Sequence, residues 1–328
     1  MKTMRPFTTA VGAAVFALTT ATAFGQIDVN NVDNLKPKWN FPAGPVTASP
    51  VLANGNLYAA SWNGHIYALN PDDGSVVWDF DSGAGALLGS QSTPLITPAG
   101  NVCVGTSLAQ VMCLDGSTGA PIWGPKSIGT PALDNIWSSM ATANGVLYVS
   151  VASLLDQPCT TGRLLALDLN TGADVWTLQT VPDNVCMTDS ATVCATNADC
   201  PNAGRCVAGR GAGITATVSF DPAGSALYMN TVGCFTYPSI GDSDSMFKVD
   251  AASGAVIWKT RVNAPEQFGE CADDISIGCG LDSDCPTGTC TLPTCGDDPG
   301  ITCSYDGDCP TGDCNQPKAY NDFGFLNG

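Results

Sequence analysis

Residues 64–78 read "GHIYALNPDDGSVVW", and three further fifteen-residue strings align with this stretch without gaps. They are "AQVMCLDGSTGAPIW" (109–123), "GRLLALDLNTGADVW" (162–176) and "DSMFKVDAASGAVIW" (244–258). Position seven of every string is Asn or Asp, position eleven is Gly, and position fifteen is Trp. The glycines are Gly74, Gly119, Gly172 and Gly254, and the tryptophans are Trp78, Trp123, Trp176 and Trp258. This agreement indicates an internal repeat rather than a β-sandwich with coincidental tryptophans.

Each repeat unit predicts short strands joined by turns. Alternating apolar residues such as Ile66 and Ala68 predict a strand with one buried face. The Asn or Asp and the Gly bracket a tight turn, in which the Gly supplies a positive φ. The Trp ends the next strand, where its ring can pack against a neighbouring unit. Since a further apolar run precedes each string, a unit holds about four strands, which is typical of a β-propeller blade.

The pattern "LYA…G.IYALN…DG..VW" resembles the repeat of pyrroloquinoline-quinone (PQQ) β-propellers. Residues 31–70 are similar to the start of secreted quinoprotein alcohol dehydrogenases, particularly the polyvinyl-alcohol dehydrogenase type. The resemblance implies an all-β propeller over residues 26–328. Because the family ring has eight blades and four complete units occur here, we expect a partial propeller, the N-terminal portion of a longer chain. The alternative is a small four-bladed binding protein that is complete as written.

The first 25 residues have the pattern of a secretory signal peptide. Lys2 and Arg5 precede the uncharged stretch "PFTTAVGAAVFALTTATAFG", and small residues lie at cleavage spacing before Gln26. No later segment is long and apolar enough to span a membrane. We therefore expect residues 1–25 to be removed and the mature protein to be secreted or periplasmic.

The chain is strongly acidic. It has 30 acidic and 12 basic residues, a formal charge of −18. Loss of Lys2 and Arg5 leaves 10 basic residues against 30 acidic ones, a charge of −20. Such a charge repels nucleic acid and anionic membrane surfaces, so neither is an expected partner.

Twelve of the sixteen cysteines form three similar modules, at 186–206, 271–290 and 295–314, which lie within two inserts (186–206 and 271–314). The module cysteines are Cys186, Cys194, Cys200, Cys206, Cys271, Cys279, Cys285, Cys290, Cys295, Cys303, Cys309 and Cys314. An exported chain with an even cysteine count favours disulfides over zinc, whose sites prefer C-x2–4-C pairs often joined by His. The sole histidine, His65, is distant in a blade strand. Each module lacks an apolar core and therefore needs disulfides to hold its shape. The sequence does not determine which cysteines are paired.

The other cysteines and the acids of the modules leave alternatives open. Cys103 and Cys113 are expected on adjacent strands, as a disulfide or as a packed apolar pair. Cys159 and Cys234 occupy matching loops and are candidates for an inter-blade bridge. Acids of the later modules could bind calcium or simply solvate a loop. These acids are Asp282, Asp284, Asp306 and Asp308.

The resemblance implies PQQ and Ca²⁺ in a central funnel and an Asp that acts as base toward an alcohol. Asp322 is the acid that the family pattern offers for the base, although a structural turn role competes with it. The string "NTVGCF" places Cys234 where the family has a calcium-binding Asn. There is no C-x-x-C-H haem motif, so the sequence predicts no haem c and an external electron acceptor. The leading hypothesis is an exported PQQ-dependent alcohol dehydrogenase, and the alternative is a cofactor-free extracellular binding or assembly scaffold with disulfide-stapled recognition inserts.

Overall fold

The computed structural model describes residues 29, 32–155, 160–186, 189–200, 206–209, 211–233, 242–262, 269–271, 274–279, 289–291, 294–295 and 314–315. The chain divides into two compact units, Met1–Asn40 and Phe41–Gly328. In the first unit, Val32–Asn34 forms a single 3-10 turn. The β-strands lie in the second unit.

Four antiparallel sheets follow one another along the second unit, each with its four main strands in chain order. Blade 1 contains β1 (Val51–Ala53), β2 (Asn56–Ala60), β3 (His65–Leu69) and β4 (Val76–Asp81). Blade 2 contains β5 (Leu95–Ile96), β6 (Val102–Gly105), β7 (Gln110–Leu114) and β8 (Pro121–Ser127). Blade 3 contains β9 (Asp134–Asn135), which pairs with β11, then β10 (Ala141–Ala143), β11 (Val146–Ser153), β12 (Arg163–Asp168) and β13 (Asp174–Gln179). The predicted all-β propeller fold is confirmed.

A fourth blade and small accessory sheets follow. Strands β14 (Asn184–Cys186), β15 (Asp189–Val193) and β16 (Cys206–Ala208) form a three-stranded sheet between blades 3 and 4. Blade 4 contains β17 (Ser219–Phe220), β18 (Ala226–Asn230), β19 (Ser245–Asp250) and β20 (Val256–Arg261). Beyond it lie β21 (Gly269–Cys271), β22 (Asp274–Cys279), β23 (Cys290–Thr291), β24 (Thr294–Cys295) and β25 (Cys314–Asn315).

The turn between the third and fourth strands has the same construction in every blade. In blade 3, the amide of Gly172 donates to the carbonyl of Asp168 (2.8 Å), and the Asp168 amide donates to the carbonyl of Ala173 (2.8 Å). Gly172 has φ +69°, a conformation that favours glycine. The Asp168 carboxylate accepts from the amide and hydroxyl of Thr171, and these hydrogen bonds lower the pKa of the carboxyl group.

Cross-strand register places one residue from each of the last three strands of a blade in a line on one face of the sheet. In blade 1, Tyr58, Ala68 and Trp78 are directly opposite one another on β2, β3 and β4. We call this line the cross-strand row. The other rows are Cys103, Cys113 and Trp123 in blade 2, Tyr148, Ala166 and Trp176 in blade 3, and Tyr228, Lys248 and Trp258 in blade 4.

Each of the first three rows contacts the turn of the next blade. The indole N–H of Trp78 donates to the carbonyl of Gly116 (2.9 Å), and the hydroxyl of Tyr58 donates to the same oxygen (3.0 Å). The ring of Trp78 also covers Gly119, where an added Cβ would lie 2.8 Å from it. The tryptophan and the glycine of the repeat are therefore the two halves of one inter-blade joint.

The two following joints repeat this arrangement. Trp123 donates to the carbonyl of Leu169 (3.0 Å), and Trp176 donates to that of Ala251 (3.1 Å). The Tyr148 hydroxyl shares the Ala251 carbonyl with Trp176 (3.0 Å). Burial, with a smaller contribution from the nearby Asp250, raises the pKa of Tyr148.

Three apolar clusters occupy the spaces between consecutive blades. Ile66 of blade 1 packs with Val102 of blade 2, and Val151 of blade 3 packs with Val111 of blade 2. Between blades 3 and 4, Leu164 packs with Leu227. β6 lies between blades 1 and 3 and is buried along its whole length, so the expectation of one buried face does not hold for this strand. On β19 of blade 4, buried residues alternate with more exposed ones, as expected.

Disulfides occur both in a blade and in the first module. Cys103 and Cys113 are paired in register and joined by a disulfide. In the first module, Cys186 is joined to Cys200 and Cys194 to Cys206, so the first cysteine pairs with the third and the second with the fourth.

The modules share a strand register as well as a cysteine spacing. The first and last cysteines of each module lie opposite each other on paired strands. These pairs are Cys186 and Cys206, Cys271 and Cys290, and Cys295 and Cys314. Cys295 is buried and disulfide-bonded. Cys279 lies on β22, whereas Cys285, Cys303 and Cys309 fall outside the described residues.

Candidate functional site

Antiparallel order places two kinds of loop at the same end of the blades, opposite the Asp–Gly turns. These loops connect the second strand to the third, or the last strand of one blade to the first strand of the next. We call this end the loop end. Its described segments are 61–64, 82–94, 106–109, 128–140, 154–155, 160–162, 180–186, 211–218, 231–233 and 242–244.

Buried polar side chains are concentrated in three of these segments, 82–94, 106–109 and 128–140. We call Ser90, Gln91, Ser92, Ser107, Asp134, Asn135 and Ser138 the polar cluster. The amide of Asn135 donates from Nδ2 to Oε1 of Gln91 (3.3 Å), which links the loops before blades 2 and 3. The Ser90 hydroxyl donates to the carbonyl of Gly105 (2.6 Å), and the Ser107 amide donates to that of Gly89 (2.9 Å).

Several atoms of the polar cluster are buried without a hydrogen-bond partner in the described part of the chain. They include the hydroxyl oxygens of Ser92, Ser107 and Ser138, and Oδ1 of Asn135. An unpartnered buried polar group costs about 1–3 kcal/mol, so each of these atoms needs a partner that the described chain does not supply, such as ordered water, an ion or a polar ligand.

An ion pair supports the loop before blade 3. Nη2 of Arg163 lies 2.8 Å from Oδ2 of Asp134, which also accepts the amide of Thr130 (2.8 Å). The Asp134 side chain is only 4% exposed and that of Arg163 is 26% exposed. Gly129 passes so close that an added Cβ would lie 2.6 Å from Asp134. Asp134 therefore fixes the loop that carries Asn135.

The first cysteine module is attached to the same loop end. Residues Thr161 and Gly211 form a parallel bridge, and Gly213 pairs with Val232 of blade 4. The Thr180 hydroxyl is placed to donate to the carbonyls of Gly162 (2.8 Å) and Ala212 (2.9 Å). These contacts fix the base of the module between the loops of blades 3 and 4.

The residues predicted for catalysis are not among those described. Asp322, Cys159 and Cys234 lie outside the described residues, as do Asp282, Asp284, Asp306 and Asp308. The first three tryptophans and the glycines that they cover (Gly119, Gly172 and Gly254) lie in the blade joints, and Gly74 lies in the turn of blade 1, so none of them belongs to the polar cluster.

Zinc has no free ligands in the first module. The sulfurs of Cys186, Cys194 and Cys200 lie within 4.8 Å of one another. All three are in disulfides, so none is a thiolate. His65 lies on β3, where its Nδ1 is 2.6 Å from Oδ1 of Asp79.

Sequence reasoning missed the polar cluster. Its residues belong to "GSQST" (89–93), "TSLA" (106–109) and "LDNIWSS" (133–139), which share no period and read as ordinary polar loops. Their position in the chain was a usable signal. The stretches 89–93 and 133–139 both lie between the last strand of one blade and the four-stranded sheet of the next.

The comparisons with known proteins agree with this architecture. The family described as "Outer membrane protein assembly factor BamB", a PQQ-repeat family, matches residues 62–232, more than half of the chain. The chain belongs to the PQQ-repeat β-propeller family. A second PQQ-repeat description, "Glucose/ethanol/alcohol dehydrogenase, beta-propeller domain", matches residues 19–87.

Relatives of this PQQ-repeat chain include dehydrogenases. Polyvinylalcohol dehydrogenase of Sphingopyxis sp. (strain 113P3) is 26% identical over 260 residues, covering 74% of this chain and 38% of the relative. A europium-containing methanol dehydrogenase structure has a TM-score of 0.55 at 19% identity, covering 73% of this chain and 46% of that one. The structure of a quinohemoprotein alcohol dehydrogenase of Pseudomonas putida HK5 also has a TM-score of 0.55, at 18% identity. The match covers 69% of this chain and 36% of that one.

The PQQ-repeat chain thus spans less than half of these relatives' length. The predicted resemblance to quinoprotein dehydrogenases is confirmed. Among the described residues, no helix is long and apolar enough to cross a bilayer.

The donor set of the polar cluster fits PQQ and a hard cation by chemistry. PQQ carries carboxylates and quinone carbonyls, which accept hydrogen bonds, and the unpartnered hydroxyls of Ser92, Ser107 and Ser138 are donors. Oδ1 of Asn135 is the kind of neutral oxygen that calcium accepts as a ligand. All four groups are buried rather than displayed on the surface.

Proposed function

We propose that this chain contributes PQQ-type blades to an exported PQQ-dependent alcohol dehydrogenase. The observation that carries the proposal is the group of buried, unpartnered hydroxyls at the loop end of consecutive blades. The names of the dehydrogenase relatives support the same reaction class. The activity belongs to a protein of the relatives' length, of which the four blades are one part.

The described residues have two roles in this proposal. Ser92, Ser107 and Ser138 hold the anionic cofactor by donating hydrogen bonds, and Asn135 offers an oxygen to calcium or to a lanthanide ion. PQQ, when bound, supplies the two-electron oxidation of the alcohol. Asp322 remains the predicted base, and the absence of a haem motif from the sequence predicts an external electron acceptor.

The test uses the full-length product of the native gene. The protein is incubated with PQQ and either Ca²⁺ or a lanthanide, and retained PQQ is measured after dialysis. Dye-linked oxidation is then assayed with small primary alcohols, secondary alcohols and polyvinyl alcohol. We expect stoichiometric PQQ and activity on at least one of these alcohol classes. If the protein retains PQQ neither with Ca²⁺ nor with a lanthanide, the proposal is contradicted.

Serine variants test the residues themselves. Ser138→Ala removes one buried donor and is expected to weaken PQQ binding about tenfold, the equivalent of one hydrogen bond of ~1.4 kcal/mol. Ser253→Ala is the matched control, because Ser253 caps the blade 4 turn at the opposite end of the sheet. If the two substitutions change the affinity for PQQ equally, Ser138 does not contact PQQ.

Export is tested separately. Cleavage after residue 25 predicts that the natively secreted protein begins at Gln26. Amino-terminal sequencing decides this, and an intact Met1 would contradict it.

The second candidate is a cofactor-free extracellular scaffold. The family description that matches residues 62–232 is that of an assembly factor. The first cysteine module is fixed at the loop end and exposes Val193, which is 63% accessible. A native product that binds neither PQQ nor a lanthanide but keeps its fold would favour this function.

A further inference from the structure

Asn135 of the polar cluster lies on a short strand that is held by two neighbouring elements. Its strand, β9, pairs with the end of β11, where Ala152 is directly opposite Asn135. The residue before it, Asp134, forms the ion pair with Arg163 at the start of β12. The position of the unpartnered Oδ1 of Asn135 therefore depends both on β11 and on Arg163.

The ion pair is better suited to fixing a loop than to stabilising the fold. Nη2 of Arg163 lies 2.8 Å from Oδ2 of Asp134 and also donates to the carbonyl of Ile128 (3.4 Å), so one nitrogen contacts both ends of this loop. Nε of Arg163 and Oδ1 of Asp134 are buried without a partner among the described residues. Because burial of charges costs solvation free energy, a pair bonded so incompletely contributes little net stability.

Arg163 follows a glycine that is held by the segment returning from the first cysteine module. We call residues 211–214 the return segment. The carbonyl of Gly162 accepts the amide (3.0 Å) and the hydroxyl (2.8 Å) of Thr180, and the Gly162 amide donates to the carbonyl of Gly211 (3.0 Å). The return segment therefore fixes the backbone immediately before Arg163.

The return segment also packs on β11. A Cβ added to Gly213 would lie 2.9 Å from the Cβ of Ala152, and the amide of Ile214 donates to the carbonyl of Val151 (3.5 Å). The Ile214 side chain is fully buried. Since Ala152 is opposite Asn135, β11 is a second connection between the return segment and the polar cluster.

The first cysteine module is a suitable anchor because it is cross-linked internally. Its two disulfides are supplemented by the amide of Cys206, which donates to Oδ1 of Asn197 (2.8 Å). At its base, Val185 packs with Val181 and Ala212 in a separate apolar cluster. Ala212 belongs to the return segment, so the module and the return segment are held together by packing as well as by the chain.

We propose that Arg163 is a positioning residue for Asn135, and that the first cysteine module holds Arg163 in place through the return segment. This inference rests on the proposed function, in which Asn135 offers an oxygen to calcium or to a lanthanide ion. Loss of a group that orients a metal ligand typically lowers metal affinity about 10–100-fold, although the group does not touch the metal. The module is thus part of the support of the candidate site as well as a surface insert.

The first experiment measures the binding of Eu³⁺ to the full-length native gene product in the presence of PQQ. A luminescence titration gives the affinity, and the lifetimes in water and in deuterium oxide give the number of waters bound to the ion. We expect Arg163→Gln to lower the affinity about tenfold and to add about one bound water, as Asn135→Ala does. Arg163→Lys keeps the charge and should restore part of the affinity.

Lys126→Gln is the matched control, because Lys126 also forms an ion pair with blade 3, to Asp174 (3.0 Å), but lies outside the polar cluster. It should change neither the affinity nor the number of bound waters. If Arg163→Gln acts no more strongly than Lys126→Gln, the positioning role is overturned. A wild-type protein that binds neither PQQ nor Eu³⁺ contradicts the proposed function instead.

Hydrogen–deuterium exchange of the ligand-free protein tests the positioning role without PQQ or a metal. Arg163→Gln is expected to increase exchange in residues 128–140 several-fold, because the loop loses its contact with β12. Lys126→Gln is expected to leave this exchange unchanged. Unchanged exchange in Arg163→Gln would overturn the inference even in a protein that binds PQQ.

Thr180→Val tests the contribution of the module. Valine is close to threonine in shape but lacks the hydroxyl that lies between the carbonyls of Gly162 and Ala212. We expect faster exchange in residues 128–140 as well as in the return segment. Faster exchange confined to the return segment would show that the module does not hold Arg163, and would overturn that part of the proposal.

Discussion

Single glycines in this protein have two separable roles, one in backbone conformation and one in packing. Gly172 has φ +69°, and a Cβ added to it would lie 2.5 Å from the ring of Trp123. Gly145 in the same blade has φ +78° but nothing within 4 Å. The two positions therefore share the conformational role and differ in the packing role.

Replacement of each glycine by alanine should reveal the difference. Gly145→Ala is expected to lower the free energy of unfolding by about 1–2 kcal/mol, the cost of a left-handed backbone. Gly172→Ala adds overpacking against the indole, for a total of about 2–5 kcal/mol. Urea unfolding of the full chain measures both, and equal losses would show that the Trp123 contact does not constrain position 172.

At the scale of the element, the Asp–Gly turn couples stability to pH. Hydrogen bonds from Thr171 and from the amide of Asn170 lower the pKa of Asp168 in the folded state. A lowered folded pKa means that the carboxylate stabilises the fold above the unfolded pKa of about 4, and that this stabilisation is lost as the pH falls through the folded pKa.

The substitution Asp168→Ala tests this coupling. We expect the variant to be less stable than wild type at pH near 7, and the difference to shrink steadily as the pH falls below about 4. Asp168→Asn is the control, because Asn70 holds the same position in blade 1 and accepts the amide of Asp72 (2.8 Å). Urea midpoints at several pH values measure the effect, and a difference independent of pH would exclude the carboxylate's charge as its cause.

The first module is an element held by covalent bonds rather than by a core. The bridge from Cys194 to Cys206 closes a loop with a sequence separation of 12. Its removal by Cys194→Ser with Cys206→Ser is expected to cost the module about 2–3 kcal/mol and to open it to proteases. Because the module is attached through backbone pairing at Gly211 and Gly213, the blades should keep their fold.

Limited proteolysis followed by mass spectrometry tests this prediction. Cleavage between 186 and 206 should become faster, while blade 3 stays intact. Unchanged cleavage would mean that the second bridge, Cys186 to Cys200, is sufficient.

At the scale of the whole molecule, the disulfide framework predicts a mass. The sequence has sixteen cysteines, and the seven whose side chains the structure describes are all in disulfides. If the framework extends to every cysteine, reduction of the denatured native protein adds sixteen hydrogens to this part of the chain. A smaller gain in the intact mass would reveal free thiols and would reopen the question of a metal in the later modules.

The sequence predicted those parts of the fold that depend on local chemistry. Asp168 and Gly172 specify their turn with their own side chains and dihedral angles, so spacing was enough to find it. The burial of Ile66 and Val102 depends on neighbouring blades, which a strand pattern does not reveal. The pairing of Cys186 with Cys200 was open because four cysteines allow three pairings, and strand register alone would not have found it, since it places Cys206 opposite Cys186. Ser138 and Asn135 have no period, and only the loop arrangement assembles them.

The joints between blades have a consequence for how such a protein grows. Every joint unites two unlike halves, a tryptophan at the end of one blade and a glycine turn in the next, so the interface is heterologous and repeats head to tail. A gene segment duplicated in tandem therefore brings both halves with it, and a new blade needs no newly evolved contact. Because the row of a completed blade is present before the next turn is made, we expect the blades to assemble in the order of synthesis.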